Sequence, residues 1–282
     1  MDGHGKAMVR VAAVQMLSGD NIPGNLQRAA YWIRQAAEQG AELVVLPENF
    51  CLLESRRLIY LGQQENKSTG QVREALSELT KENRIWLIAG SLPCSTRSDG
   101  SEIDNRVRST CWVYNNLGES VARYDKIHLF DVDVEDGYGR YRESKWIEPG
   151  NDVVTVDTPF SKIGLSICYD LRFPELYREL ASLGASVIVV PSAFTFKTGE
   201  AHWEILLRAR AIENQVFIIA ANQGGRHSDR RETFGHSMIV DPWGKAMATR
   251  VEAGEGLVIA ELDFQRQAEI RQAMPVLAHR QL

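Results

Sequence analysis

The sequence predicts an α/β protein of two pseudo-repeated halves, folded as a four-layer αββα sandwich. The first observation is internal repetition. Residues 40–50 (GAELVVLPENF) return as residues 184–194 (GASVIVVPSAF), residues 82–90 (ENRIWLIAG) as 213–221 (ENQVFIIAA), and residues 112–118 (WVYNNLG) as 238–244 (MIVDPWG). The second observation is the order within each copy, an apolar strand ending in Pro, a helix, another apolar strand, then a tight hairpin. Continuous apolar runs mark strands covered on both faces. Closely spaced strand–helix–strand units require parallel pairing and right-handed crossovers. Each half therefore builds a sheet with its helices outside.

The elements follow in order. Residues 9–16 read as a strand. Leu26, Ala29, Ala30, Ile33, Ala36 and Ala37 recur at helical spacing over residues 25–38, and Gly40 stands just past the end, where a C-cap belongs. Residues 43–46 are a buried strand, 71–82 a helix and 85–89 the next strand. Residues 110–124 form a hairpin turning at Asn115-Asn116-Leu117-Gly118. Residues 130–150, rich in Asp, Gly, Arg and Tyr, read as a long ordered loop, a feature often functional in compact domains. The second half repeats the plan, with strands at 162–167, 186–190 and 216–220, helices at 174–183 and 201–214, and a hairpin at 235–249. A last strand at 256–262 precedes a helical tail broken at Pro275.

Composition bounds the function. No Pro/Ser/Gly-rich linker divides the 282 residues, so one domain over residues 9–280 is expected, with residues 1–8 a flexible N-terminus. A net charge of -5 and a pI near 5.8 argue against a nucleic-acid partner, which requires a basic face. Residues 1–8 (MDGHGKAM) lack the apolar core of a signal peptide, and the longest apolar runs are strand-sized, so no membrane association is expected. The four cysteines (Cys51, Cys94, Cys111, Cys168) contain no CxxC pair, which speaks against disulfides or zinc and fits a reducing cytoplasm. With no metal-ligand spacing, phosphate loop or dinucleotide fingerprint, no cofactor is expected.

Where the repeats align, Glu48 in the first faces Ser192 in the second, and a carboxylate at the carboxyl end of an apolar strand has no packing role there. Cys168 lies where the strand at 162–167 turns toward a helix beginning at Pro174. Backbone N–H groups and the positive end of that helix would favour a thiolate, as at a nucleophile elbow. Cys51, Cys94 and Cys111 read as buried, inert thiols. Lys126, in residues 123–130 (RYDKIHLF), reads by itself as a solvated charge, and Glu48 as a cap or surface acid; the combination carries the signal. His128 and His236 read as hydrogen-bonded structural histidines, residues 241–244 (DPWG) as a hairpin turn, and Trp203, Leu206, Leu207 and Ile212 as core or interface packing.

The segments at 46–50 (LPENF), 124–130 (YDKIHLF) and 167–175 (ICYDLRFPE) resemble, in order and separation, the three signatures of the nitrilase superfamily of carbon–nitrogen hydrolases. The resemblance runs from about Val9 to Arg280. It implies the αββα fold of that family with its two similar halves. It also implies a catalytic triad of Glu48, Lys126 and Cys168, and Glu143 in the second-glutamate position of the Nit branch. The implied reaction is amide hydrolysis through a thioester, with the backbone N–H of Tyr169 and the Lys126 ammonium holding the oxyanion.

Residues 191–204, 223–228 and 235–244 resemble the Nit branch, and the Gly-Arg-His stretch is most like amidases that act on deaminated glutathione. A related group, the ω-amidases, takes 2-oxoglutaramate. Both substrates are anionic amides, and Arg172, Arg226 and Lys197 lie in segments expected at the site mouth. The resemblance further implies a homodimer, with the helices at 174–183 and 201–213 packed across a two-fold. Two readings stand against the amidase: a nitrilase using the same triad, and a catalytically silent interaction protein, which the intact triad disfavours.

Overall fold

The computed structural model describes residues 6–53, 57–66 and 70–281. Two sheets stack face to face. The first runs in the order Gly256–Asp263, Met8–Gln15, Leu43–Val45, Trp86–Ile88, Arg108–Tyr114, with Leu92–Cys94 and Ser120–Asp125 both pairing with Arg108–Tyr114. The second runs Ala246–Thr249, Met238–Val240, Phe217–Ala220, Val187–Val189, Lys162–Leu165, Thr155–Asp157. In each sheet three parallel strands are flanked by an antiparallel strand on one side and an antiparallel hairpin on the other.

The repetition extends to the backbone. Gly40 and Gly184 both turn the chain at positive φ (82° and 91°) before the second strand of their half. Arg84 and Gln215, the non-glycine C-caps of the helices Gln71–Asn83 and Phe196–Asn214, are both left-handed (φ 53° and 49°).

Alternation along the first sheet assigns its two faces. Val11, Leu43, Val45, Ile88 and Val113 are fully buried in one cluster with the second sheet. Ala12, Val14, Val44, Leu46 and Leu87 pack the other way, with Ile33 and Leu76 of the helices Ile22–Glu38 and Gln71–Asn83. Burial of such a side chain contributes roughly 1.5–3 kcal/mol, and the two sheets share this apolar cluster. The helices Pro174–Ser182 and Phe196–Asn214 supply Leu176, Tyr177, Leu180, Trp203 and Leu207 to the second sheet.

Several elements depart from expectation. Residues 130–150 are not simply a loop: Asp131–Asp133 pairs with Arg140–Arg142, and a 3-10 turn follows at Glu143–Lys145. The helix Leu58–Glu65 and the hairpin Gly224–Arg226/Glu232–Phe234 are additional. The second-half helix starts at Phe196, five residues earlier than expected, because the Thr195 side chain caps it by accepting from the Thr198 N–H. The first strand starts at Met8, and Lys6 reaches Glu42 at 2.6 Å, so residues 6–8 of the expected flexible segment are held; residues 1–5 lie outside the described residues. Among the described residues no helix is long and apolar enough to cross a membrane.

Candidate active site

Glu48 follows Pro47 in the turn after Leu43–Val45, at the carboxyl end of the parallel strands. The turn is tight. Asn49 is left-handed (φ 55°) and donates its N–H to Ser91 Oγ at 2.9 Å, while the Glu48 carbonyl accepts from Gln223 Nε2 at 3.1 Å. Gly90 (φ 58°) lies so close that a Cβ there would run into the Pro47 carbonyl oxygen, which explains glycine at that position.

Lys126 follows the strand Ser120–Asp125, and its N–H donates to the Ser109 carbonyl at 2.9 Å. It is only 1% exposed, against the solvated charge it resembles in isolation. Its Nζ donates to Glu48 Oε1 at 2.7 Å and to both oxygens of Glu143 at 2.9 Å. Burial opposes the ammonium, yet Glu143, Glu48 and Cys168 together hold its pKa well above the usual lysine value. Glu143 opens its 3-10 turn and also accepts the Phe130 N–H at 2.7 Å. Burial, followed by the Glu48 charge, raises its pKa against the pull of Lys126. One ammonium thus sits between the buried Glu48 carboxylate and the half-buried Glu143 carboxylate, which couples their protons.

Cys168 has φ 49°, an uncommon conformation for a residue with a Cβ, and its N–H donates to the Pro191 carbonyl at 2.8 Å. It begins the 3-10 turn Cys168–Arg172, and the α-helix starts only at Pro174. The positive end beside Cys168 is therefore that of a 3-10 turn and not of the α-helix. Burial, then the Glu48 charge, push the thiol pKa well up, while the Lys126 charge and the Ala193 N–H pull it down. Tyr169 stands in the first turn between Cys168 and Asp170, whose N–H donates to the Ile167 carbonyl at 3.1 Å.

Asp170 ties these parts together. Fully buried, it accepts from Tyr124 Oη at 2.7 Å, the Ile167 N–H at 2.8 Å and the His128 N–H at 3.0 Å, and lies 2.7 Å from His128 Nδ1. His128 also stacks on Phe173 at 3.6 Å, and His236 stacks on Phe234 at 4.0 Å. The three other cysteines are free and buried; burial pushes Cys51 up to about 12 and raises Cys111 as well.

Glu48, Lys126, Glu143, Cys168 and Tyr169 all border one cavity of about 360 Å³. Arg172 lines it too, with its guanidinium 5.3 Å from the Phe194 ring and 3.2 Å from His202 Nδ1. Arg226 and Lys197 do not. Arg226 is exposed on the hairpin Gly224–Arg226/Glu232–Phe234, and Lys197 pairs with Glu135 at 3.1 Å; both border a smaller cavity of about 170 Å³. The helix that starts at Phe196 carries Lys197 away from the main opening. Sequence reasoning missed Arg231, which reaches the main cavity from a stretch that reads as solvated charge, and the aromatic wall of Phe130, Tyr138, Tyr141 and Phe194.

A buried cysteine and a carboxylate that holds an ammonium thus share one cavity on an αββα frame. The chain matches the carbon-nitrogen hydrolase family over residues 10–272 and belongs to it. It is a hydrolase of carbon–nitrogen bonds other than peptide bonds. It is 43% identical to the deaminated glutathione amidase of Yersinia enterocolitica, covering 95% of this chain and 92% of that protein. It is 39% identical to the omega-amidase NIT2 of Mus musculus, covering 95% and 93%. Among solved structures, Saccharomyces cerevisiae Nit3, a member of branch 10 of the nitrilase superfamily, superposes with a TM-score of 0.85 at 31% identity, covering 99% of this chain and 98% of that one.

Proposed function

We propose that the protein is an amidase acting on anionic 2-oxo-acid amides, with deaminated glutathione the leading substrate, through Cys168, Glu48 and Lys126. The observation that carries this reading is the Lys126 ammonium held by Glu48 and Glu143 beside the Cys168 thiol, inside one cavity. Glu48 takes the proton of Cys168, and the thiolate attacks the amide carbonyl. Protonation of Glu48 weakens its hold on Lys126 Nζ, freeing an N–H for the oxyanion, which the Tyr169 N–H also meets. Each such donor is worth about 3 kcal/mol. Glu48 then gives its proton to the departing amine, and a thioester remains. A water activated by Glu48 releases the acid and restores Cys168. Glu143 keeps Lys126 charged and in place, and Arg172 binds the 2-oxo-acid carboxylate.

The omega-amidase relative supports a second reading, in which the smaller 2-oxoglutaramate is preferred. We further propose a cytoplasmic homodimer formed through the outer helices of the second half, where Ile205 is 69% exposed, as is Trp243 (59%) on the turn between Met238–Val240 and Ala246–Thr249.

A panel of amides and nitriles, read by released ammonia or product acid, tests the function. Hydrolysis of anionic 2-oxo-acid amides well above neutral amides of equal size is expected. Equal rates would overturn the substrate reading, turnover of nitriles alone would make the protein a nitrilase, and preference for 2-oxoglutaramate over the N-substituted amide would select the omega-amidase.

A further inference from the structure

Six cationic side chains line the main cavity, and five are engaged or exposed. Lys126 is held by the two glutamates, Arg142 donates to Asp133 at 2.9 Å, Arg140 lies 3.5 Å from the same Asp133, and Arg172 points to His202. Lys145 is exposed. The half-buried guanidinium of Arg231 has neither an ion-pair partner nor a hydrogen-bond acceptor among the described residues. Arg231 is also the one of these six that lines the second cavity, of about 170 Å³, so it stands where the two spaces meet.

That second space is bordered by charges of both signs: Lys197, Arg226, Arg230 and Arg231 with Asp136, Asp229 and Glu232, of which Glu232 pairs across the hairpin with Arg226. Lys197 is already paired with Glu135. The hairpin that presents Arg231 is fixed at its base. His227 lies 2.7 Å from the Ser18 carbonyl through Nδ1 and 2.6 Å from Thr233 Oγ1 through Nε2. Burial lowers its pKa to about 4, so the ring is neutral near pH 7; Nδ1–H then donates to the carbonyl, and Nε2 accepts from the threonine. Across the gap, Gly137 at the tip of the 131–142 hairpin approaches the Arg230 carbonyl so closely that a Cβ there would stand 3.1 Å from it. An unpaired guanidinium fork on a pinned hairpin is suited to a carboxylate arriving from solvent.

We propose that Arg231 is a specificity-determining residue that binds a carboxylate on the leaving-group side of an N-substituted amide. The inference rests on the amidase reading of the site. It assigns the two ends of the substrate: the acyl-side carboxylate goes to Arg172 near Cys168, and the carboxylate of the departing amine goes to Arg231, where the two cavities meet. A primary amide, whose leaving group is ammonia, makes no use of that end. The cavity therefore selects for length and for a terminal negative charge.

The test is a cycle of substrate and enzyme. Three substrates share one 2-oxo-acid acyl group: the primary amide, an N-substituted amide ending in a carboxylate, and the same N-substituted amide ending in a neutral carboxamide. In the unmutated enzyme the carboxylate-ended amide should exceed the carboxamide-ended one in kcat/KM. Arg231→Gln should lower that ratio roughly 10- to 100-fold, mostly through KM. Arg231→Lys should recover part of it, since the charge returns without the fork. Misfolding would lower all three substrates together and leave the ratio unmoved, which overturns the inference. Turnover of the primary amide with no preference for the terminal carboxylate also overturns it, while sparing the amidase reading. Turnover of none of the three removes both.

Discussion

The Tyr124 hydroxyl donates to Asp170 Oδ2 at 2.7 Å, and this bond joins the strand that leads into Lys126 to the turn that begins at Cys168. Tyr124 is fully buried, and the same carboxylate takes the N–H groups of Ile167 and His128. The distance between the proposed oxyanion donor and the proposed nucleophile is therefore set by a group that touches neither.

Tyr124→Phe should lower stability by about 1–2 kcal/mol, because it deletes one hydrogen bond to a buried carboxylate and leaves its other donors in place. Asp170→Ala should cost more, about 3 kcal/mol or above, since several buried donors lose their acceptor together. Urea unfolding gives the stability and kcat at saturating substrate gives the alignment. A kcat unchanged in Tyr124→Phe would show that the bond does not govern the site.

Cys168→Ala should abolish turnover while the thermal transition stays near that of the unmutated protein. Ala in place of Cys94 should leave activity largely intact, because that thiol lies outside the cavity lining. An acyl adduct on the peptide containing Cys168, seen by intact-mass analysis during turnover, would support the thioester; substantial activity in Cys168→Ala would contradict the mechanism.

Lys126→Met should reduce kcat by orders of magnitude and also destabilise the fold, because Glu48 and Glu143 would then share a buried space without a counter-charge. Lys126→Arg keeps the charge but brings a planar fork to a place shaped for a compact ammonium, so it too should lose activity. Near-normal turnover of Lys126→Arg would mean the geometry is looser than the 2.7 Å and 2.9 Å contacts imply.

Stability should fall in mild acid partly through His227. Its folded pKa is about 4 and its ordinary value 6.5, so between these the unfolded chain binds the extra proton. The contribution is complete above about pH 6.5 and is lost as pH falls through about 4, up to about 3 kcal/mol in all. His227→Gln, which can still donate to Ser18 and accept from Thr233, should flatten that part of the curve in urea unfolding at pH 7 and pH 4.5. The same acid slope in the variant would place the linked proton elsewhere.

The repetition of apolar strands made the two-sheet architecture legible, because runs such as 43–46 and 187–190 are long enough to mark burial even though only three residues of each pair as strand. Glu48, Lys126 and Cys168 were legible as a set and not singly; nothing local marks Lys126 as buried, since its environment comes from residues 78 and 17 positions away. The hairpins at 131–142 and 224–234 were hidden because their strands are three residues long and rich in Gly and charge, with no alternation to read. Arg231 lies on the second of these hairpins and borders both cavities, whereas Arg226, five positions earlier, borders only the smaller one.

The pairing of Gly256–Asp263 with Met8–Gln15, eight residues in register from Met8–Asp263 to Gln15–Gly256, has a consequence for how the protein could be divided. Glu48, Lys126 and Glu143 all belong to the first half of the chain and Cys168 to the second, while the strand that completes the first sheet comes from beyond Cys168. Neither half expressed alone would hold both the proposed nucleophile and its proposed base, and a first half alone would present an unpaired strand edge to solvent. Supplied as two complementary polypeptides cut near residue 150, the protein would regain turnover only as a reconstituted non-covalent complex, so that activity itself would report the reassembly of the two sheets.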